Sequence, residues 1–359
     1  MAPDTVRYAT CKPNRINRFL AATEYAQLKG SEKEALYDLP ENESARGLAD
    51  GIAAAFVAYG ASELGRDRCV VFLVQGGERN VFDQRFLEYE VRDRSPSIPV
   101  FRLPFAEILH RTSVADTPRR QLLYRPPGNP ERSYEVAVVY LRAGYGPADY
   151  PNPSDWEARY QIERSAAIKC PTVLTQVAGT KKVQQVLATP HEPSQPSSDL
   201  GRFLPDGSEA SREIRKTFTN IYPLDDTAAG RQAREWARDA QTCQKYVLKP
   251  QREGGGNNYY KGSIPEHLAT VPEERWKSYI LMELITPPPV ANVILRNGTL
   301  EQGGVICELG IYGTCVWDQG SGRILHNREA GYLLRTKGDQ SEEGGVAAGF
   351  GCMDSCNLV

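Results

Sequence analysis

Cys69–Val74 is a continuous apolar, largely β-branched run, and it reads as a β-strand. What stands on either side of it limits the fold most. Before it, Ser44 stands as an N-cap, and Leu48, Ile52, Ala55, Phe56 and Tyr59 then recur at helical spacing up to Gly60. That one-sided stripe predicts a helix that needs a surface to pack on. After it, Val81–Val91 is helix-compatible, Ile98–Leu103 and Val136–Leu141 are strand-like, and Ser154–Glu157 has capping-box spacing ahead of a further helix. Strands alternating with helices predict a small α/β layer with parallel pairing. Thr117–Ser133, which carries Pro126, Pro127 and Pro130, reads as a surface insertion, and the Pro-, Ser- and Gly-rich stretch Thr189–Ser211 as a linker or loop.

The second half has a different texture. Ala233, Trp236, Ala237 and Ala240 make one helix face, and Tyr246–Leu248, Ser278–Ile285, Gly304–Tyr312 and Tyr332–Leu334 are strand-like, an α+β pattern with glycine-rich loops. A chain of 359 residues with 40% hydrophobic and 25% charged residues has room for two or three domains with real cores. Its net charge of −2 gives no basic field to attract nucleic acid or an anionic membrane. No apolar run approaches the roughly 18 residues of a membrane span, and the N-terminus has no apolar signal core. The eight cysteines form no C-x-x-C pair, which fits reduced thiols in a cytoplasmic protein, and the four histidines have no metal-ligand or triad spacing.

Chemistry concentrates in Lys249–Tyr260, where a lysine, a carboxylate and three successive glycines follow a short strand. Glycines let successive backbone N–H groups turn toward phosphate oxygens, Lys249 adds a mobile positive charge, and Glu253 is a hard oxygen ligand suited to Mg²⁺. The lysine precedes the glycines, so the segment is neither a Walker A loop nor a dinucleotide fingerprint. A plain hairpin tip is the alternative. Glu308 is a lone carboxylate in the apolar run Val305–Gly310, explained either by a salt bridge or by a ligand. Arg335 and Lys337 close a strand, and Gly344–Gly349 makes a second loop of small residues. In the first half, Glu78–Arg85 and Arg142–Tyr145 follow strands at corners where α/β folds bind ligands, a plausible pocket for a small zwitterion with Arg142 opposite its carboxylate. A helix start and a tight turn would account for the same residues.

Lys249–Tyr260, Met282–Ile285, Leu333–Lys337 and Gly344–Gly349 closely resemble eukaryotic-type glutathione synthetase. Glu78–Arg85, Arg142–Tyr145, Cys170–Pro171 and Thr175–Gln185 agree with that family in order and spacing. The resemblance runs from about Leu39 to Gly349. It implies an ATP-grasp fold, α/β and α+β, with an inserted α/β substrate-binding domain. The expected stretches are 1–66 as the remnant of an N-terminal helical part, 67–180 as the substrate-binding domain, and 181–359 as the ATP-grasp domain with its glycine-rich lid. It also implies ATP-dependent ligation of γ-glutamylcysteine to glycine through an acyl phosphate, with two Mg²⁺ ions and usually a homodimer.

By the same resemblance, Lys181 and Lys249 contact the phosphates of ATP, under a loop formed by Pro250, Gln251, Arg252, Glu253, Gly254, Gly255, Gly256, Asn257, Asn258 and Tyr260. Glu253 ligates Mg²⁺. Met282, Glu283, Leu284 and Ile285 meet adenine, Glu308 the nucleoside, and Lys337 the nucleotide, while Glu343 stands where the family commonly has Asp. Arg335 joins Lys249 at the transfer site and holds substrate. Glu78, Arg79, Asn80, Gln84, Arg142, Ala143, Gly144 and Tyr145 contact the peptide, with Val346 and Ala347 on the closing loop.

The family carries a further N-terminal segment with a strand-borne Glu-x-Asn metal pair, and Met1–Lys29 holds no such strand. The resemblance therefore implies a synthetase whose chain begins late. The alternatives are a noncatalytic nucleotide- or peptide-binding relative, and a ligase that uses another amine such as β-alanine.

Overall fold

The computed structural model describes residues 40–78, 81–190, 198–251, 256–288, 290–296, 299–341 and 351–356. The chain forms two compact units, one spanning Val173–Pro289 and the other joining the chain up to Thr172 with the chain from Val290. Each is described by itself. Among the described residues no helix is long and apolar enough to cross a membrane.

The larger unit opens with helix α1 (Ser44–Tyr59), strand β1 (Arg68–Val74), α2 (Val81–Arg94), β2 (Val100–Pro104), the single turn α3 (Ile108–Arg111), β3 (Thr112–Val114), β4 (Leu122–Tyr124), β5 (Tyr134–Leu141), α4 (Pro153–Glu163) and β6 (Ile168–Cys170). Its sheet runs β2-β1-β5-β4-β3, with β6 also paired to β5. β1 is parallel to both β2 and β5, as is β6 to β5, so the α/β layer with parallel pairing is present. The cause is visible in the sequence. All eight residues of β5 and six of the seven in β1 are buried, so each strand faces a core on both sides. Val71, Leu73 and Leu141 pack with Ala158 and Ile162 of α4, while Val70, Phe72 and Tyr140 pack with α1 and with Leu87 and Val91 of α2. Each fully buried side chain of this size contributes about 1.5–3 kcal/mol.

Three local expectations need correction. Helix α1 begins at Ser44, and the N-cap is Glu43, which makes no side-chain cap; the Ser44 N–H is instead 3.3 Å from Asn42 Oδ1. The capping box of α4 lies two residues earlier than Ser154–Glu157. Asn152 is the N-cap and its N–H donates to Asp155 Oδ2 at 2.8 Å, because Pro153 at the first helical position has no N–H to satisfy. Thr117–Ser133 is more than a surface insertion, since it contains β4, whose Leu122 and Tyr124 are buried.

The smaller unit contains α5 (Val173–Ala178), α6 (Lys181–Ala188), α7 (Glu209–Lys216), β7 (Ile221–Pro223), α8 (Ala228–Arg238), β8 (Tyr246–Pro250), β9 (Tyr259–Tyr260), α9 (Ser263–Ala269) and β10 (Tyr279–Glu283). Its antiparallel sheet runs β7-β10-β8-β9. One face carries the core of Leu248 and Leu281 with Ala233, Ala237, Ile264 and Leu268, and the other packs Ile221, Ile280 and Met282 with Ala188. Part of the expected loop Thr189–Ser211 is ordered, because Leu200 is buried and α7 starts at Glu209; 191–197 lie outside the described residues.

The larger unit then resumes as an antiparallel sheet, β11 (Val290–Arg296), β12 (Thr299–Trp317), β13 (Ile324–Gly338) and β14 (Cys352–Asp354). The hairpin β12/β13 is much longer than its apolar centres, Gly304–Tyr312 and Tyr332–Leu334, imply. α1 lies on it as well as on the parallel sheet. A Cβ on Gly47 would fall 2.7 Å from the Ala330 Cα, and one on Gly51 would fall 2.5 Å from Thr314 Cγ2, so glycine is what lets helix and hairpin approach. This packing joins sequence-distant segments in one unit, whereas the sequence divides at 66 and 180.

Candidate functional site

In the smaller unit, strand alternation decides which side chains are presented. Leu248 and Leu281 turn into the α8/α9 core, so Lys249 and Met282 project to the opposite face, where α6 lies. Lys181 starts α6, and the next N–H, that of Lys182, donates to Gln251 Oε1 at 3.0 Å, which brings the helix start to the end of β8. Gln251 also donates to the Ser278 carbonyl at 3.3 Å. Lys182 lies 3.7 Å from Asp225 Oδ2; burial works against that carboxylate, but the Thr227 hydroxyl and N–H hold its pKa below the usual range.

β8 and β9 pair antiparallel, and the glycine-rich segment lies between them in the sequence. Pro250 and Gln251 stand on one side of it, and Gly256 (φ +80°), Asn257, Asn258 and Tyr260 on the other. Its returning strand is held firmly: Tyr259 stacks on His267 with centroids 3.5 Å apart, and His267 Nε2 lies 3.1 Å from Tyr279 Oη. Arg252, Glu253, Gly254 and Gly255 lie outside the described residues.

At the end of β10, the Glu283 carboxylate accepts from Asn220 Nδ2 at 3.0 Å and from Tyr222 Oη at 3.1 Å. Burial, and then the neighbouring carboxylate, push the Tyr222 hydroxyl far up. The Leu284 N–H donates to the Lys245 carbonyl at 2.9 Å, and Ile285 is exposed. Glu283 is thus tied to β7 through its side chain.

In the larger unit, β1 and β5 are adjacent and parallel, with Leu73 opposite Leu141, so the segments after their carboxyl ends share one edge of the sheet. This brings Glu78 and Gln84 to the same corner as Arg142–Tyr145. Gln84 is buried at the start of α2 and donates from Nε2 to Glu78 Oε2 at 2.5 Å. Arg142 is buried, with its N–H on the Leu73 carbonyl. Ala143 is buried beside it. Gly144 has φ +80°, and a Cβ there would meet the Tyr150 hydroxyl at 2.7 Å. Asp149 Oδ2 accepts from the Tyr145 N–H at 2.7 Å and the Gly146 N–H at 3.2 Å, which fixes the turn. Arg79 and Asn80 lie outside the described residues.

On the hairpin, Glu308 is paired across the strands with Arg335. Arg335 Nη2 donates to Glu308 Oε2 at 2.6 Å, and Lys337 Nζ is 3.9 Å from Oε1. The carboxylate in the apolar run is therefore compensated by both cations. Glu343, Val346 and Ala347 lie outside the described residues.

Sequence reasoning missed four residues that shape these places: Asn220 and Tyr222 on Glu283, Asp149 on the Tyr145 turn, and Arg102, which binds Gln84 Oε1 at 2.6 Å. Only Arg102 left a signal, as the one charge inside the strand-like run Ile98–Leu103. Among the described residues, no cluster of three or more His, Cys, Asp or Glu side chains could hold a metal ion.

Comparison with known proteins identifies the family. Residues 7–358 match the family described as eukaryotic glutathione synthase, ATP binding domain. The chain is 40% identical over 331 residues to the glutathione synthetase large chain of Schizosaccharomyces pombe, covering 89% of this chain and 63% of that protein. It is 41% identical over 316 residues to the glutathione synthetase of Homo sapiens, covering 88% and 61%. A chloroplastic glutathione synthetase of Solanum lycopersicum is 36% identical over 324 residues, covering 89% and 54%. The chain thus spans little more than half to under two thirds of these relatives. Among solved structures, a glutathione synthetase-like effector from Globodera pallida shares the fold, with a TM-score of 0.68 at 19% identity, covering 98% of this chain and 68% of that one.

Proposed function

Because this chain belongs to the eukaryotic glutathione synthase family, we propose that it takes part in the ATP-dependent ligation of γ-glutamylcysteine to glycine. A carboxylate acylates poorly at neutral pH. In this reading, ATP phosphorylates the cysteinyl carboxylate, and the amine of glycine then attacks the acyl carbon and expels phosphate, so no protein nucleophile is needed.

The observation that carries the reading is the corner after β1 and β5, where a buried arginine, Arg142, and the Glu78–Gln84 pair stand at one sheet edge. Arg142 supplies the positive charge for the glutamyl α-carboxylate and Glu78 the negative charge for the ammonium on the same carbon. Ala143, Gly144 and Tyr145 form the turn beside them. In the smaller unit, Lys181 and Lys249 take the phosphates, Pro250, Gln251, Gly256, Asn257, Asn258 and Tyr260 flank them, and Met282 to Ile285 receive adenine. Arg335 and Lys337, with Glu308, are assigned to the acyl-phosphate end and the nucleotide.

Mg²⁺ would supply charge compensation on the phosphates when bound. The described residues alone do not build a cage for it, and Glu253 lies outside them, so no step here passes through the metal. A homodimer belongs to the same reading.

The test is ADP release by the purified chain. Release that requires both γ-glutamylcysteine and glycine supports the reading, and Lys249→Met should then weaken ATP binding about tenfold or more, the cost of one charged phosphate contact. Sustained ADP release with neither substrate present, or a preference for β-alanine over glycine, would sink it.

A further inference from the structure

We propose that Arg102 is a positioning residue for the peptide site, setting which way the Gln84 amide points and, through it, where Glu78 is held. The inference rests on the functional reading above.

Arg102 lies on β2 opposite Phe72 of β1, so its backbone is fixed in the sheet. Its guanidinium is forked: Nη2 binds Gln84 Oε1 at 2.6 Å, and Nη1 binds Glu88 Oε1. The other Glu88 oxygen accepts from Arg85 Nη1 at 2.8 Å, so both carboxylate oxygens are engaged. Glu88 and Gln84 are buried, and Arg102 is largely so.

The polarity of this chain of bonds has only one solution. A guanidinium donates and cannot accept, so the end of the Gln84 amide that faces Arg102 must be its oxygen. The amide nitrogen is therefore turned toward Glu78, to whose Oε2 it donates at 2.5 Å. Without Arg102 the amide could rotate and set its oxygen against the Glu78 carboxylate, acceptor against acceptor. The Glu78 carboxylate would then be driven from the place where it meets an ammonium group. Arg102 does not touch the ligand in this scheme. It acts on the ammonium group alone and leaves the contact of Arg142 with the carboxylate on the same glutamyl carbon unchanged.

That asymmetry gives the test. Binding to the full chain is measured by calorimetry for γ-glutamylcysteine and for its des-amino analogue, glutaryl-cysteine, in wild type, Arg102→Lys, Glu78→Gln and the double variant. Lysine keeps the charge beside Glu88, so the fold is retained, but a single nitrogen cannot reproduce the fork. Wild type should prefer the amino ligand by about tenfold or more, as expected for a charged hydrogen bond. Arg102→Lys should lose most of that preference by weakening γ-glutamylcysteine alone, with glutaryl-cysteine and ATP binding unchanged. The double variant should be no worse than Glu78→Gln, because both changes break one linkage.

Equal weakening of both peptides by Arg102→Lys would mean a general structural role and overturn the inference. So would an unchanged preference, or effects that multiply in the double variant. A wild-type chain that binds ATP but not γ-glutamylcysteine would overturn the functional reading, and the inference with it.

Discussion

Two clusters of opposite charge in the larger unit use the same groups in different surroundings. Arg102 and Glu88 meet between α2 and β2, with the side chains 15% and 6% exposed, while Glu308 and Arg335 meet on the β12/β13 hairpin at 38% and 42%. Water can replace either partner in the second cluster and neither in the first. The buried cluster is therefore committed to one arrangement, held by hydrogen bonds to both Glu88 oxygens and to Gln84. The hairpin cluster can exchange its partners for a ligand at little cost. In one, the charges are fixed by buried neighbours; in the other, the Glu308–Arg335 pair faces solvent.

Removing one partner should separate the two most clearly. Arg102→Met leaves Glu88 buried with one guanidinium fewer, and should lower unfolding free energy by about 3–5 kcal/mol in urea denaturation. A loss below about 1 kcal/mol would put the buried cluster in the same class as the exposed one. Next in size is the glycine seam of α1. Alanine is the better helix former by about 1 kcal/mol, yet a Cβ on Gly47 would lie 2.7 Å from the Ala330 Cα, a backbone atom with nowhere to go. Gly47→Ala should thus cost about 1–3 kcal/mol by overpacking. A stabilised variant would mean that α1 does not ride on the hairpin at close range.

The hairpin pair comes third. Glu308→Gln should change stability by less than about 1 kcal/mol, as for other solvent-accessible pairs, and added salt should shrink the difference. A larger cost would make Glu308 a structural anchor and weaken its assignment to a ligand.

The same contrast explains what the sequence revealed. β1 and β5 were legible because strands buried on both faces leave an unbroken apolar run, Cys69–Val74 or Val136–Leu141. The hairpin was only partly legible, since β12 and β13 are exposed over much of their length and leave only short apolar stretches. The second face of α1 was hidden because Gly47 and Gly51 read as weak helix residues until Ala330 and Thr314 are placed against them. Motifs marked candidate site residues in the sequence. None marked Arg102, because its meaning depends on Gln84 and Glu88, which reach it only through the pairing of β2 with β1 and the packing of α2. The two-unit division likewise rests on contacts between distant segments.

A half-buried group should fall between the two clusters, and His267 in the smaller unit is one. Its ring stacks on Tyr259 and lies 3.1 Å from Tyr279 Oη, and burial lowers its pKa below the ordinary 6.5. Between that lowered value and 6.5 the unfolded chain binds more protons than the folded one, so stability rises with pH across this window. Acidification from pH 7 through 6.5 should therefore lower the melting temperature, by less than any of the substitutions above, and the effect should level off once the folded ring is protonated too. His267→Phe keeps an aromatic ring against Tyr259 but cannot titrate, so its melting temperature should depend less on pH between 7 and 5 than that of the wild type. Identical pH dependence in the two proteins would show that the ring is solvated enough to behave like the exposed hairpin charges. A loss in wild type as large as that expected for Arg102→Met would place it with the buried cluster.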